Sequence, residues 1–305
     1  MSTLNNRSEL VFLYDIKDAN PNGDPMDQDK PRMDEENSIN LVTDVRLKRT
    51  IRDYLFDYKG YDGSDGKDIF VREKEVENGE GLQDGKARAK DFQDNPEKVL
   101  QQCIDVRLFG GVIPLSGDSI TYTGPVQFQM GRSLHPVEMK FIKGTGAFAS
   151  QEGQSQRTFR EEYVVSYSLI GFYGIINENA GKKTNLTEED VDLLLEGMWK
   201  GTKNLITRSK MGQTPRLLLQ AEYSEDNFFI GELKEYIELE SEKREDEIRD
   251  VSDYRLDVTS LKDILAQHES RIEKVHYKIS PRLNLVCRGK EFDPSEDELF
   301  EEISW

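Results

Sequence analysis

Cysteine is scarce in this chain: Cys103 and Cys287 are the two present, and they lie far apart in sequence. Two lone cysteines exclude a disulfide framework and a cysteine-based metal motif, and they fit a reducing compartment. Histidine is equally sparse, and His135, His268 and His276 show no metal-ligand spacing. No run approaches the ~20 apolar residues of a membrane-spanning helix. The opening MSTLNNRSELVF also lacks the basic-then-apolar order of a signal peptide. The expectation is a cytoplasmic protein with no membrane partner. Neither a Ser/His/Asp arrangement, a phosphate-binding P-loop nor a dinucleotide fingerprint is apparent, so no cofactor is expected.

Apolar residues are also in short supply, at 36%, whereas charged residues reach 33%. For 305 residues this composition implies a sizeable core surrounded by long polar insertions. The net charge of -18 is unevenly spread. Segments 62–97, 222–250 and 291–302 carry -5, -8 and -7, which leaves +2 for the rest. Acidic insertions remote from a basic groove would not cancel it, because salt screens exposed charges beyond ~8–10 Å.

Positive charge is concentrated at Leu41–Phe56, LVTDVRLKRTIRDYLF. At ~100° per residue, Leu47, Ile51, Tyr54 and Leu55 share one arc and Arg46, Lys48, Arg49 and Arg52 the opposite one. The pattern predicts a helix with an apolar face on a core and a basic face in solvent. Such a face suits a polyphosphate backbone, although taken alone a charge run is more often a solvated face.

Alternation and turn chemistry place the other elements. Strands are predicted at 9–17, around 120–130, at 163–176, 217–223 and 271–279. Helices are predicted at 42–57, at 96–104 behind Asn95-Pro96, after Thr187, and at 260–268, with a short acidic helix after Asp293-Pro294. Strand, helix, strand, strand, helix, strand is the ferredoxin-like order of an α+β fold. Long insertions at 58–95, 131–162 and 224–256 interrupt this single domain, 1–305. The first of them reads as flexible.

Three further constellations carry possible chemistry. Lys200–Ala221 holds Lys200, Lys203, Arg208, Lys210 and Arg216 without an acid, and its centre RSKMGQTPR is loop-like. Ser209, Thr214, backbone amides near Gly212 and the cations Arg208 and Lys210 suit phosphate oxygens; an ordinary helix-to-strand connection fits as well. In 131–162, Arg132, His135, Lys140, Lys143, Arg157 and Arg160 alternate with Met139, Phe141, Phe148 and Phe159. Cations interleaved with aromatics suit single-stranded nucleic acid; the alternative is a hairpin folding back on the core. The first loop gathers Asp15, Asp18, Asp24, Asp27, Asp29 and Asp34, which suit either Mg²⁺-dependent RNA cleavage or a solvated turn.

The ordered set NPNGDP (20–25), VTDVRLKRTIRDYL (42–55), DVRLFGG (105–111), TGPVQFQMGRSLHPV (123–137) and TRSKMGQTPRLL (207–218) resembles one known family. This is the backbone-subunit family of type I CRISPR Cascade complexes, the Cas-seven superfamily, nearest its I-B and I-C branches. The resemblance implies an RRM-like palm carrying a thumb-like hairpin at 131–162 and a helical or acidic subdomain. It implies head-to-tail stacking of copies along a CRISPR RNA that is presented to target DNA in antiviral defence. Large, repeat-end capping and small subunits are the implied partners. The residues it assigns to RNA are Asn22, Arg46, Lys48, Arg49, Arg52, Arg107, Arg132, Lys140, Lys143, Arg157, Arg208, Ser209, Lys210, Gln213 and Thr214. Met139, Phe141 or Phe148 is the wedge that displaces a nucleotide. The resemblance implies binding without catalysis. The alternatives are a metal-dependent endoribonuclease using Asp24, Asp27 or Asp29, and a scaffold that touches no nucleic acid.

Overall fold

The computed structural model describes residues 4–76, 79, 81–115, 117–149 and 157–305, with backbone alone at 145–149 and 157–160. In chain order, β1 is Ser8–Ala19, β2 Ile39–Val42, α1 Asp44–Lys59, α2 Gly85–Asp91, α3 Pro96–Gln102 and α4 Ile104–Phe109. Then follow β3 Gly110–Pro114, β4 Ser119–Thr123, β5 Val126–Phe128, β6 Gly131–Ser133, β7 Met139–Ala149 and β8 Arg157–Ile176. The second half adds α5 Glu178–Thr184, α6 Glu188–Glu196, β9 Thr214–Tyr223, β10 Glu238–Glu240, β11 Arg255–Asp257, α7 Thr259–Gln267, β12 Ile272–Ile279, β13 Leu285–Cys287 and β14 Phe300–Glu302.

β1 lies within a ten-stranded sheet whose path runs β14-β12-β9-β1-β8-β6-β2 and ends on Met33–Asp34; β5 and β7 also pair with β8. β1 is antiparallel to both β8 and β9, with Phe12 opposite Phe172 and Leu218. β14 joins the outer strand β12 in parallel. Side chains alternate across a strand, and in β1 both sets are apolar because both faces are covered. Leu10, Phe12, Tyr14 and Ile16 meet Leu47, Ile51 and Leu55 of α1 and Val191, Leu194 and Leu195 of α6. Val11 and Leu13 face a second core with Leu217, Leu219, Leu233, Ile248, Tyr254 and Leu261.

Local chemistry explains the boundaries. Thr43 caps α1, Asn95 caps α3 ahead of Pro96, and Thr187 with Asp190 forms a capping box on α6. α6 runs into a widened π turn, Gly197–Gly201, lying against α1. A Cβ at Gly201 would sit 2.9 Å from Tyr54 Cβ, so glycine permits the close approach of this turn to α1.

Three expectations are corrected. Segment 58–95 is not a bare flexible loop. It contains α2, and its Phe70, Ala89 and Phe92 close a third core with Val99, Leu100, Cys103, Val106 and Ile113. Its polar composition hid this because a few apolar side chains, with buried Arg88 bonded to Asp68, suffice to close a small core. Segment 224–256 is acidic on its surface, yet its Leu233, Ile237, Ile248, Val251 and Tyr254 cover one face of the sheet. After Asp293-Pro294 the chain makes a single turn, Pro294–Glu296, and then enters β14. No helix among the described residues is long and apolar enough to cross a membrane.

Candidate nucleic-acid interface

Three sequence motifs distant along the chain converge at the end of β1. The Asn22 side-chain oxygen accepts from the Thr43 backbone N–H and hydroxyl, both at 2.9 Å, and so ties the first loop to the N-terminus of α1. Two residues earlier, the Asn20 N–H donates to the Ser209 carbonyl at 2.7 Å. The loop after β1, the first turn of α1 and the 207–214 loop therefore form one surface.

The basic arc of α1 is not the free, solvated face expected from its pattern. Arg52 Nε donates to fully buried Asp105 at 2.9 Å, and Asp105 also accepts the Phe70 and Val71 N–H groups. Lys48 pairs with Asp44 at 3.0 Å, and both Lys48 and Arg52 lie over the Phe109 ring. Arg49 pairs with Asp53 at 2.6 Å and remains about half exposed. The contacts with Asp105 and Phe109 are invisible in a helical wheel because both residues come from α4, whereas Lys48–Asp44 and Arg49–Asp53 are i,i+4 pairs within α1. Arg46 is different. Its Nη2 donates to the Thr50 hydroxyl at 3.1 Å and stands 3.7 Å from Asp53, while its Nε is buried without a partner. Burial pushes its guanidinium below its ordinary pKa, against the pull of Asp53.

Lys210, on the 207–214 loop, is a second cation and lies within range of the Arg46 charge. Burial and the Arg46 charge both hold its ammonium below its ordinary pKa, with Asp29 opposing them. Its Nζ lies 3.2 Å from the Ser209 hydroxyl. An anion beside either partly desolvated cation would favour its charged form. On the same loop, Gln213 is buried, with its amide 3.4 Å from the Lys210 carbonyl, and the Thr214 hydroxyl bonds the Gly212 carbonyl at 3.3 Å.

The remaining cations are less free. Arg208 donates to Glu162 at 2.7 Å, Arg132 to Asp34 at 2.6 Å, and Lys143 pairs with Glu161 at 2.9 Å. Lys140 is 3.9 Å from Asp18. Arg107 is furthest from an RNA-facing role in its contacts. It binds both oxygens of Asp190, at 2.8 and 2.7 Å, and the carbonyls of Leu100 and Gln101. It thereby fastens α4 to α6. Of the carboxylates offered as metal ligands, Asp24 is engaged by Arg32 and Asp27 by Lys30, each at 2.8 Å.

β8 continues beyond its pairing with β1 and forms a hairpin with β7, from Met139 opposite Val165 to Ala149 opposite Arg157. Met139, Phe141 and Ile142 are exposed on it, and the Phe141 ring sits 4.9 Å from that of Tyr163. The side chains of Phe148 and Arg157 lie outside the described residues.

Sequence reasoning named Asn22 and missed Asn20 and Arg32. Both have a buried side-chain atom without a partner. Their position within or soon after NPNGDP was the available signal; their burial was not.

The chain matches the family described as CRISPR-associated protein Cas7 over residues 6–259. A CRISPR-associated protein Cas7 from Haloferax volcanii is 35% identical over 314 residues, covering 93% of this chain and 90% of that one. A solved chain titled "CRISPR RNA-guided surveillance complex, pre-nicking" matches with a TM-score of 0.55 at 12% identity, over 94% of this chain and 96% of that one. A second, titled "CRISPR RNA-guided surveillance complex", gives 0.54 at 12% identity, over 94% of both chains. The mixed α/β fold is thus one found in such surveillance complexes. Within that class, the chain belongs to the Cas7 family of CRISPR-associated proteins.

Proposed function

We propose that this protein is a CRISPR-RNA-binding backbone subunit of a type I surveillance complex. Membership of the Cas7 family supports this reading. The observation that carries it is the surface where the first loop is bonded to both the start of α1 and the 207–214 loop, with Arg46 and Lys210 each partly buried on those elements. A guide of any spacer sequence must be held through phosphate, ribose and shape. Cations, hydroxyls and backbone amides do this, and they are what the surface offers.

In this reading the sheet around β1 is an RRM-like palm. The support is its antiparallel order β9-β1-β8 followed by β5 and β6, with α1 and α6 on one face. The β7–β8 hairpin is the thumb, and Met139 or Phe141 is the wedge among the side chains described. Copies stack head to tail along the RNA, a heterologous contact that does not close. The guide is held open for target DNA, alongside large, capping and small subunits in the cytoplasm. In this reading the subunit binds without cutting, and ion pairs with Arg32 and Lys30 engage Asp24 and Asp27.

Fluorescence anisotropy across a salt series tests this. Two RNAs of equal length and unrelated spacer sequence are expected to bind alike, with a steep salt dependence. Arg46→Ala and Lys210→Ala should each flatten the slope of log K on log salt by about 0.7, the value for one phosphate left unneutralised. Both RNAs should stay intact in Mg²⁺ or Mn²⁺. Metal-dependent fragments abolished by Asp29→Ala would favour the nuclease. A wild-type slope unchanged in both variants would remove this surface from the RNA path.

A further inference from the structure

Buried polar atoms in proteins are nearly always hydrogen-bonded, so those without partners call for an explanation. Among the described residues four buried side-chain atoms lack one: Asn20 Oδ1, Arg32 Nε, Arg46 Nε and Gln83 Oε1. Three of the four sit on the first loop or the first turn of α1. Asn20 is the most enclosed of these three, with 7% of its surface exposed.

The Asn20 side chain is held in a set orientation. Its Nδ2 donates to the Asp29 carbonyl at 2.6 Å, and its backbone N–H donates to the Ser209 carbonyl. The loop leaves no slack there: a Cβ at Gly23 would stand 2.8 Å from the Asp29 carbonyl oxygen and 3.2 Å from Asn20 Nδ2. With Nδ2 committed, Oδ1 is a fixed acceptor without a donor. Asn20 lines a cavity of about 200 Å³ whose other walls include Asp18, Asp29, Tyr163 and Ser209. The carboxylates Asp18, Asp29, Glu161 and Glu162 make most of its polar lining accept hydrogen bonds, and the cation Arg208 on its wall is paired with Glu162.

We propose that Asn20 Oδ1 accepts a hydrogen bond from a ribose 2′-hydroxyl and makes this surface selective for RNA over DNA. The inference rests on the proposed RNA-binding function and deepens it. The argument is one of donor chemistry. A surface that holds any spacer sequence meets what every nucleotide shares. Phosphate oxygens and the ring oxygen of the sugar only accept. The 2′-hydroxyl is the sole group that both donates and recurs at each nucleotide irrespective of base. A carboxamide oxygen fixed as an acceptor therefore has one constant partner on the strand. Arg46 and Lys210 then take a phosphate of the same strand.

The test modifies the strand first, so that it does not depend on a variant folding. Wild-type protein is titrated with one unstructured sequence as RNA, as DNA and as 2′-O-methyl RNA, which keeps the oxygen but removes its donor. DNA and 2′-O-methyl RNA are expected to bind at least about fivefold more weakly than RNA, the loss of a single hydrogen bond. Asn20→Ala, checked for an unchanged melting temperature, should bring RNA to the DNA level and leave DNA binding as it was. Equal binding of RNA and 2′-O-methyl RNA by the wild type, or a preference that survives Asn20→Ala, overturns the inference and leaves the proposed function standing. Binding of no strand, with a flat response in Arg46→Ala and Lys210→Ala, overturns both.

Discussion

Arg52 and Arg46 occupy one helix within two turns of each other, and their environments assign them different work. Arg52 is spent on Asp105, a fully buried carboxylate that also accepts the Phe70 and Val71 N–H groups. Removing one partner of a buried, hydrogen-bonded pair leaves the other charge without compensation. Asp105→Ala is therefore expected to cost about 3–5 kcal/mol, read as a lower midpoint in urea unfolding. An Arg52→Ala variant will lose RNA affinity partly through this route, so its stability must be measured beside its binding. Arg46 keeps an unpartnered Nε and a cationic neighbour, Lys210, and is the better probe of anion binding. The helical wheel distinguished the two arcs of α1. It carried no information about α4, whose Asp105 and Phe109 hold Lys48 and Arg52 down.

At the scale of elements, the strands and caps were legible and the insertions were not. Strong alternation, Asn95-Pro96 and the Thr187 box are local signals, and the structure places elements at each. The 58–95 and 224–256 segments are dominated by polar residues, so their few apolar side chains gave no period to read. They become core only because the sheet and α3–α4 present apolar surface to them. The β7–β8 hairpin is the opposite case, a long ladder whose Met139, Phe141 and Ile142 remain exposed. Apart from Phe141 against Tyr163, these side chains stay open to a partner from outside the chain. If Phe141 is the wedge, RNA carrying 2-aminopurine should brighten on binding as one base unstacks, and Phe141→Ala should abolish the signal while lowering affinity by less than tenfold, consistent with the loss of about 1 kcal/mol of stacking. An unchanged signal in Phe141→Ala and its loss in Met139→Ala would move the wedge to Met139.

For the whole molecule, the excess of acid shapes the pH response. Burial would raise the Glu196 carboxyl, but hydrogen bonds from Lys200, Lys59 and Tyr54 outweigh it and hold the carboxyl below its ordinary 4.5. Asp297, Asp253 and Asp91 are likewise raised by burial and brought below 3.8 mainly by Lys262, Lys243, Lys74 and Arg88. A carboxylate depressed in the folded state contributes stability that is complete above its unfolded value and lost as pH falls through the folded one. Stability should therefore decline as pH drops below about 4.5. Asp15 runs the other way, since burial raises it despite Arg216, and it softens the decline. Denaturant midpoints from pH 7 to pH 3 should fall more gently in Glu196→Gln than in the wild type; parallel curves would mean that Glu196 is not part of the acid response.

By itself the sequence determined the alternation of strand and helix, the caps, the absence of a disulfide framework, and the motifs that mark the family. These are local properties, set by side-chain period and by turn and cap chemistry within a few residues. Which cations remain available to an anion, which polar segments close a core, and that Asn20 rather than Asn22 presents an unpaired acceptor were decided by tertiary structure alone. Each depends on groups brought together from distant parts of the chain: Asp105 to Arg52, Asp190 to Arg107, Ser209 to Asn20. Burial and pairing are properties of that assembly, because desolvation and hydrogen bonding follow from where a group is placed and not from which residues flank it in sequence.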